Sequence, residues 1–250
     1  MKTFTASLQN ELEKIAAKKK FLVFLIIEIL ICLLCGIINL AIGKVSSGMI
    51  STSLILSNMP MTMLSFFIQI YIPLVVFMAA CDLFAVEIHD GTIRATMMRP
   101  VNRFKQYFSK VAAVLILAGV YIVTLFLVTT IIKGIGAHSA AGLGINLLAY
   151  VLDMIPLIVL VLFAAMLNQF FNSPSLSIIL CIILLIGFYI IGIIVPETSG
   201  LLFTGYMQWH NLWLGVTIPF HAMISKIGIL LGYGMIFGCI GYYLFEIREV

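Results

Sequence analysis

Charge is what this chain has least of. Only 10% of its 250 residues are Asp, Glu, Lys or Arg, against about 25% in soluble proteins. Hydrophobic residues make up 63%, more apolar surface than a water-soluble domain of this size can bury, and disorder is excluded by the same numbers. Recognisable chemistry is also missing. There is no G-x-x-x-x-G-K-[ST] phosphate loop, no H-E-x-x-H and no G-x-S-x-G. The five cysteines, Cys32, Cys35, Cys81, Cys181 and Cys239, are odd in number and lie in apolar runs, which excludes a disulfide framework. Cys32 and Cys35 form a C-x-x-C, but inside a hydrophobic segment where aqueous thiolate chemistry has no place. His89, His138, His210 and His221 are scattered, so no metal site is expected. The basic residues sit at membrane faces, so no nucleic-acid partner is expected.

What the chain does have is long hydrophobic runs. A helix needs about 20 apolar residues to cross the bilayer core. Six stretches are long enough: Phe21–Gly43, Met61–Phe84, Val111–Ile132, Leu147–Asn168, Ser175–Val195 and Ile224–Phe245. Backbone polar groups in lipid must be satisfied within each segment, and the runs do not alternate as barrel strands do, so the expected fold is all-α and polytopic. The first run is too long for a signal-peptide core and is expected to be a retained helix. Six spans put both termini on one side. That side holds eleven of the lysines and arginines and the other holds Lys44, Lys133 and Lys226, which predicts cytoplasmic termini in a plasma membrane.

The connections carry the remaining polarity. In residues 1–20, Phe4, Leu8, Leu12 and Ile15 recur at helical spacing and Lys18-Lys19-Lys20 follows, which predicts an amphipathic helix at the anionic inner leaflet or a charged leader orienting the first span. Residues 85–110 form the one long loop on that side. Two helical halves are expected there, separated at Arg99-Pro100. Glu87, Asp90 and Arg94 fall near one face of the first half. The second half has an apolar stripe of Val101, Phe104 and Phe108, with Arg103, Lys105 and Lys110 free to face lipid phosphates or the cytosol. Between spans four and five, the residues from Gln169 to Pro174 only turn the chain. The outer loop, 196–223, is apolar and aromatic. It is expected either to re-enter the membrane as short helices or to form an aromatic belt. Three carboxylates fall in apolar segments. Glu28 is expected to face the bundle or a wet cavity, whereas Asp82 and Asp153 can reach the interfaces.

Glu87, Gly91, Thr92, Pro100, Arg103 and Lys110 together resemble the loop pattern of the permease subunits of type-2 ABC transporters: an acidic residue, a nearby Gly-Thr, a Pro with an Arg shortly after, and a Lys opening the next span. His89-Asp90 before Gly91 depart from it. The resemblance, carried also by the six spans, the N-terminal helix and the outer loop, implies a division of labour. A separate cytoplasmic ABC ATPase subunit would bind ATP and Mg. The helix from Glu87 to Met98 would dock into it, and Glu87, Asp90, Gly91, Thr92, Arg94, Pro100 and Arg103 would couple the two subunits. A second permease copy, identical or related, would complete a substrate path for a hydrophobic or amphipathic cargo such as an antimicrobial peptide, drug or lipid. The chain itself would not be an enzyme and would hold no cofactor. Glu28, Asn39, Gln69, Tyr71 and Asn168 are the polar points expected along that path. Phe203, Tyr206, Trp209, Trp213 and Phe220 would form an outer hydrophobic gate. The rival readings are an ATP-independent transporter, which would need internal repeats, an intramembrane enzyme, or a ligand-sequestering immunity or sensor protein.

Overall fold

In the computed structural model, residues 2–45, 52–92, 102–137, 142–171, 173–213 and 220–247 are described. Among them there is no strand. An N-terminal helix, Lys2–Ala17, precedes six helices long and apolar enough to cross a membrane. Span one is Lys19–Val45. Span two runs from Thr52–Phe66 through a π turn at Phe67–Tyr71 into Ile72–Leu83 and Ala85–His89. Span three is Arg103–Ala137, span four Leu143–Leu152 and Met154–Leu167, span five Pro174–Ile194 and span six Phe220–Ile247. The chain is an all-α, multi-pass membrane protein.

Breaks within the spans have local causes. Pro73 has no N–H to give to the carbonyl of Gln69, and the helix widens into the π turn just before it. Pro156 withholds the same bond from Leu152, and span four bends at Asp153. Span two ends at Gly91, whose φ of +68° is the left-handed conformation that glycine adopts without Cβ strain. The expected helix from Glu87 to Met98 therefore does not run through Gly91, and residues 93–101 lie outside the described ones.

Spans two and four form the inside of the bundle, with 61% and 56% of their most apolar windows buried, while spans one, five and six have 22%, 17% and 17%. The outer three expose rows of isoleucine and leucine, such as Ile37, Ile193 and Leu231, to the surroundings. Span three lies between span one, span two and the N-terminal helix. It begins at Arg103, eight residues before the expected Val111, because Gln106, Tyr107, Ser109 and Lys110 are buried in contacts that hold a polar helix together. The N-terminal helix packs its Leu8, Leu12 and Ile15 on the protein core, so its apolar stripe meets span three and not lipid. At this same end Arg103 donates to the carbonyl of Glu246 near the end of span six. It is called the clamp end below, and the opposite one the far end.

Candidate functional site

The polar groups of the clamp end close into a ring. The N-terminal helix supplies Glu11 and Lys14, the last turn of span two supplies Glu87, and the second turn of span three supplies Lys110. Lys14 Nζ donates to Glu11 Oε1 at 2.9 Å and to Glu87 Oε1 at 2.8 Å. Lys110 Nζ donates to Glu11 Oε2 at 3.1 Å and to Glu87 Oε2 at 2.8 Å. Each ammonium bridges both carboxylates, each carboxylate uses both oxygens, and the net charge is zero. Glu11, Glu87 and Lys110 are buried and Lys14 is half-buried. The hydroxyls of Ser7 and Ser109 lie 2.9 Å apart, between the same two helices.

Electrostatics of the ring follow from this packing. Burial raises the pKa of the Glu11 carboxyl, but the charges and hydrogen bonds of Lys110 and Lys14 outweigh it and hold the group below its ordinary value. Burial lowers that of Lys14, and the bonds and charges of Glu87 and Glu11 outweigh it, leaving the ammonium above its ordinary value. A second cluster lies at the same end. Lys18 and Lys20 reach the two oxygens of buried Asp82 at 3.2 and 2.6 Å. The basic residues after the N-terminal helix therefore meet a protein carboxylate, and of the three only Lys19 is exposed.

Several expectations for the loop change with this geometry. Glu87 is turned into the protein, and Lys110 does not face lipid or cytosol. Both are anchors. Asp90, Gly91 and Thr92 are exposed. Asp90 is 3.0 Å from the His89 ring, and the Thr92 hydroxyl donates to the Glu87 carbonyl at 3.4 Å. Arg103 is exposed beside the end of span six. Arg94 and Pro100 lie outside the described residues.

The residues expected along a substrate path have unlike surroundings. Glu28 is fully buried, and neither carboxyl oxygen has a hydrogen-bond partner among the described residues. Tyr71 donates to the Phe24 carbonyl at 2.5 Å and Tyr121 to that of Phe21 at 2.6 Å, so span one is tied by its backbone to spans two and three. Asn168 is consumed by the turn between spans four and five: its amide nitrogen donates to Ala164 and its oxygen accepts from Ser177 at 2.6 Å. Asn39 is half-buried toward the other end of span one. Gln69, on the π turn, lines a groove against span five.

At the far end the outer loop folds into the bundle. Phe203 packs on Phe163, Phe188, Tyr233 and Phe237, and Tyr206 stacks edgewise on Trp209. Phe203, Tyr206 and Trp209 are buried, while Trp213 is partly exposed. Phe220 opens span six, but its side chain lies outside the described ones. Burial raises the pKa of the Tyr206 hydroxyl, which donates to the Gly200 carbonyl. Asp153 does not face solvent. It is fully buried, accepting the backbone N–H of His210 at 2.7 Å and facing the His210 Nδ1 at 2.6 Å. Asp153 and His210 thus tie the loop to span four.

Two members of the ring left a trace in the sequence. Glu11 sits four residues after Leu8's neighbour Ser7 and four before Ile15, on the buried stripe of the N-terminal helix, and a charge there requires a partner. Lys110 likewise falls between buried Tyr107 and Val114. Nothing local marks His210 as the partner of Asp153.

Fold and clusters define an α-helical polytopic membrane protein with an ion-clamped loop at one end and an aromatic plug at the other. Residues 55–250 match the model of a family described as a protein of unknown function (DUF2705), and the chain belongs to that family. No curated protein matches it.

Proposed function

We propose that the chain is the membrane subunit of an ATP-driven exporter, worked by a separate cytoplasmic ABC ATPase that binds ATP and Mg. The observation that carries this reading is the ring. Both roots of the loop, Glu87 at the end of span two and Lys110 near the start of span three, belong to it. A push on the exposed turn at Asp90–Thr92 is therefore delivered to two spans and the N-terminal helix together, as a motor outside the membrane requires. In this reading the clamp end is cytoplasmic, in keeping with the lysine and arginine bias of the plasma membrane. Asp90, Gly91 and Thr92 meet the ATPase, and Glu87 acts behind them as a positioning residue. Spans one, five and six, with their mostly unburied apolar faces, supply lipid contact and the seam with a second permease copy. The aromatic plug of Phe203, Tyr206 and Trp209 closes the outer end.

The test is purification from native membranes through a tag on this chain. An ATPase subunit is expected to copurify, and a Thr92→Cys variant is expected to react with an impermeant maleimide only after the cells are opened. Transport by the purified chain alone, or labelling of position 92 in intact cells, overturns the reading.

A further inference from the structure

Between spans two and five lies a groove with two unlike compartments that share Gln69, Tyr189 and Ile193. The larger, about 370 Å³, is walled mostly by hydrocarbon: besides the shared residues, it is lined by Leu74 and Phe77 of span two, and Ile182, Leu185 and Ile186 of span five. The smaller, about 200 Å³, lies where span five meets the outer loop, and brings Ser199, Thr204 and Gln208 to Gln69 and Tyr189. Among the described residues, no Lys, Arg, Asp, Glu or His lines either compartment. Tyr189 lines both, and its buried hydroxyl has no hydrogen-bond partner among the described residues.

We propose that this groove binds a single-chain amphiphile with an uncharged, hydroxyl- or amide-bearing head, its alkyl chain in the trough between spans two and five and its head among Gln69, Tyr189, Ser199, Thr204 and Gln208. Three features select that ligand. The first is size. At roughly 30 Å³ for a water-sized group, 370 Å³ holds about a dozen methylenes, which is one alkyl chain and not two. Along span five the trough runs from Ile182 to Ile193, about 16 Å at the helical rise per residue, the reach of an extended chain of the same length. The second is polarity. A phosphate or an ammonium placed in the smaller compartment meets no counter-ion among the described residues of its walls, and a desolvated charge without a partner is strongly disfavoured. Hydroxyls and amides instead match the donors and acceptors present. The third is the orphaned Tyr189 hydroxyl, which a ligand head at the junction satisfies.

The shape of the head compartment is built in. A Cβ on Gly205 would collide with the Ser199 carbonyl oxygen, so the close approach of these two loop segments needs glycine. Gln69, on the π turn at Phe67–Tyr71, lines the groove with span five, while Tyr71, two residues on, is directed to the span one backbone. The site belongs to one chain and is read without an ATPase, so its test and that of the transporter reading fail separately.

The experiment uses the full chain in phosphatidylcholine nanodiscs and three photoactivatable probes with the same diazirine-bearing dodecyl chain: a glucoside, a phosphate and a trimethylammonium. The glucoside is expected to label saturably within residues 69–77 and 182–193, with the charged probes labelling at least tenfold less at the same concentration. Tyr189→Phe, which keeps the ring and removes the hydroxyl, is expected to weaken glucoside labelling about threefold to tenfold. Leu185→Trp, which fills the trough, is expected to abolish it. Should Leu185→Trp fail to fold, Tyr189→Phe and the probe comparison decide alone. Labelling that does not saturate, that is equal for the three heads, or that is unchanged by Tyr189→Phe overturns the proposal.

Discussion

Removing Lys110 isolates what the ring does. In Lys110→Met the apolar stem is kept and the ammonium is lost, which leaves Glu11 Oε2 and Glu87 Oε2 without their donor and leaves two buried carboxylates facing each other across Lys14 alone. Breaking a buried ion pair in this one-sided way costs about 3–5 kcal/mol. At about 1.4 kcal/mol per decade, that raises the fraction of molecules with the N-terminal helix lifted by roughly two to four decades. Ser109 reports the event, because it is 1% exposed and covered by Ser7. The rate at which a maleimide reaches Ser109→Cys, followed by peptide mass, is expected to rise in parallel, and the melting temperature to fall by on the order of 10 °C. Adding Glu87→Gln removes one of the stranded carboxylates and is expected to recover part of the loss, by up to about 3 kcal/mol of coupling. A labelling rate in Lys110→Met within twofold of the parent, or a double variant worse than the sum of its parts, refutes the closed ring.

Other outcomes follow from the same contacts. Glu11 sits below its ordinary value, so its contribution is complete above about pH 4.5 and is lost as pH falls through its lowered folded value. Lys14 sits above its ordinary value, so its contribution is complete below about pH 10.5 and is lost as pH rises through its raised one. Labelling of Ser109→Cys should therefore be flat, after correction for thiol reactivity, from about pH 5.5 to 9, and a midpoint near neutrality contradicts the assignment. Asp153→Ala strips the acceptor from both the backbone N–H and the ring of His210, and is expected to cost about 2–3 kcal/mol and to expose residues 196–213 to protease. Asp153→Asn keeps one acceptor and should be milder in both assays. Gly91→Ala meets no atom within 4 Å, so its cost is the left-handed backbone alone, about 1 kcal/mol, read as a small drop in melting temperature with position 109 still protected.

The spans were legible because lipid imposes a length and a composition on any segment that crosses it, and no distant residue is needed to read them. Their ends were less so. Span three starts at Arg103 because Lys110 finds carboxylate partners in two other helices and Gln106 is buried, and a polar residue ends a span only when the protein does not cover it. The ring itself joins residues 73 and 99 apart in the chain. From sequence, Glu11 marks a need for a cation without naming it, and four lysines lie nearby. The π turn at Phe67–Tyr71 was hidden for another reason: a single added residue leaves the apolar run unchanged and alters only which side chains share a face. Gln69 and Tyr71, grouped in the sequence by polarity alone, stand two residues apart and so on different sides of the helix, one at the groove with span five and the other at the span one backbone.

In the transporter reading proposed above the loop is a lever, which must be stiff where it meets its load and accessible where it is held, and the clamp end separates these two demands within a few residues. Glu87 is buried with both oxygens engaged, while Asp90 through Thr92, one turn on, are exposed. Gly91 divides them, since the left-handed turn stops the helix and lets the loop leave the ring in a new direction. Neutrality matters here as well. Two carboxylates and two ammoniums in alternation attract at every side of the ring, so it can sit beneath the N-terminal helix without a net charge to desolvate, and it resists shear because moving any one helix strains two bonds at once. Loss of an outward side chain such as Asp90 should therefore affect whatever grips the loop and leave the bundle intact, whereas loss of Glu87 should loosen the bundle first and the grip as a consequence. The order of those two effects, read from position 109 labelling and from recovery of the partner on the same variants, distinguishes a ring that transmits force from one that only holds the fold.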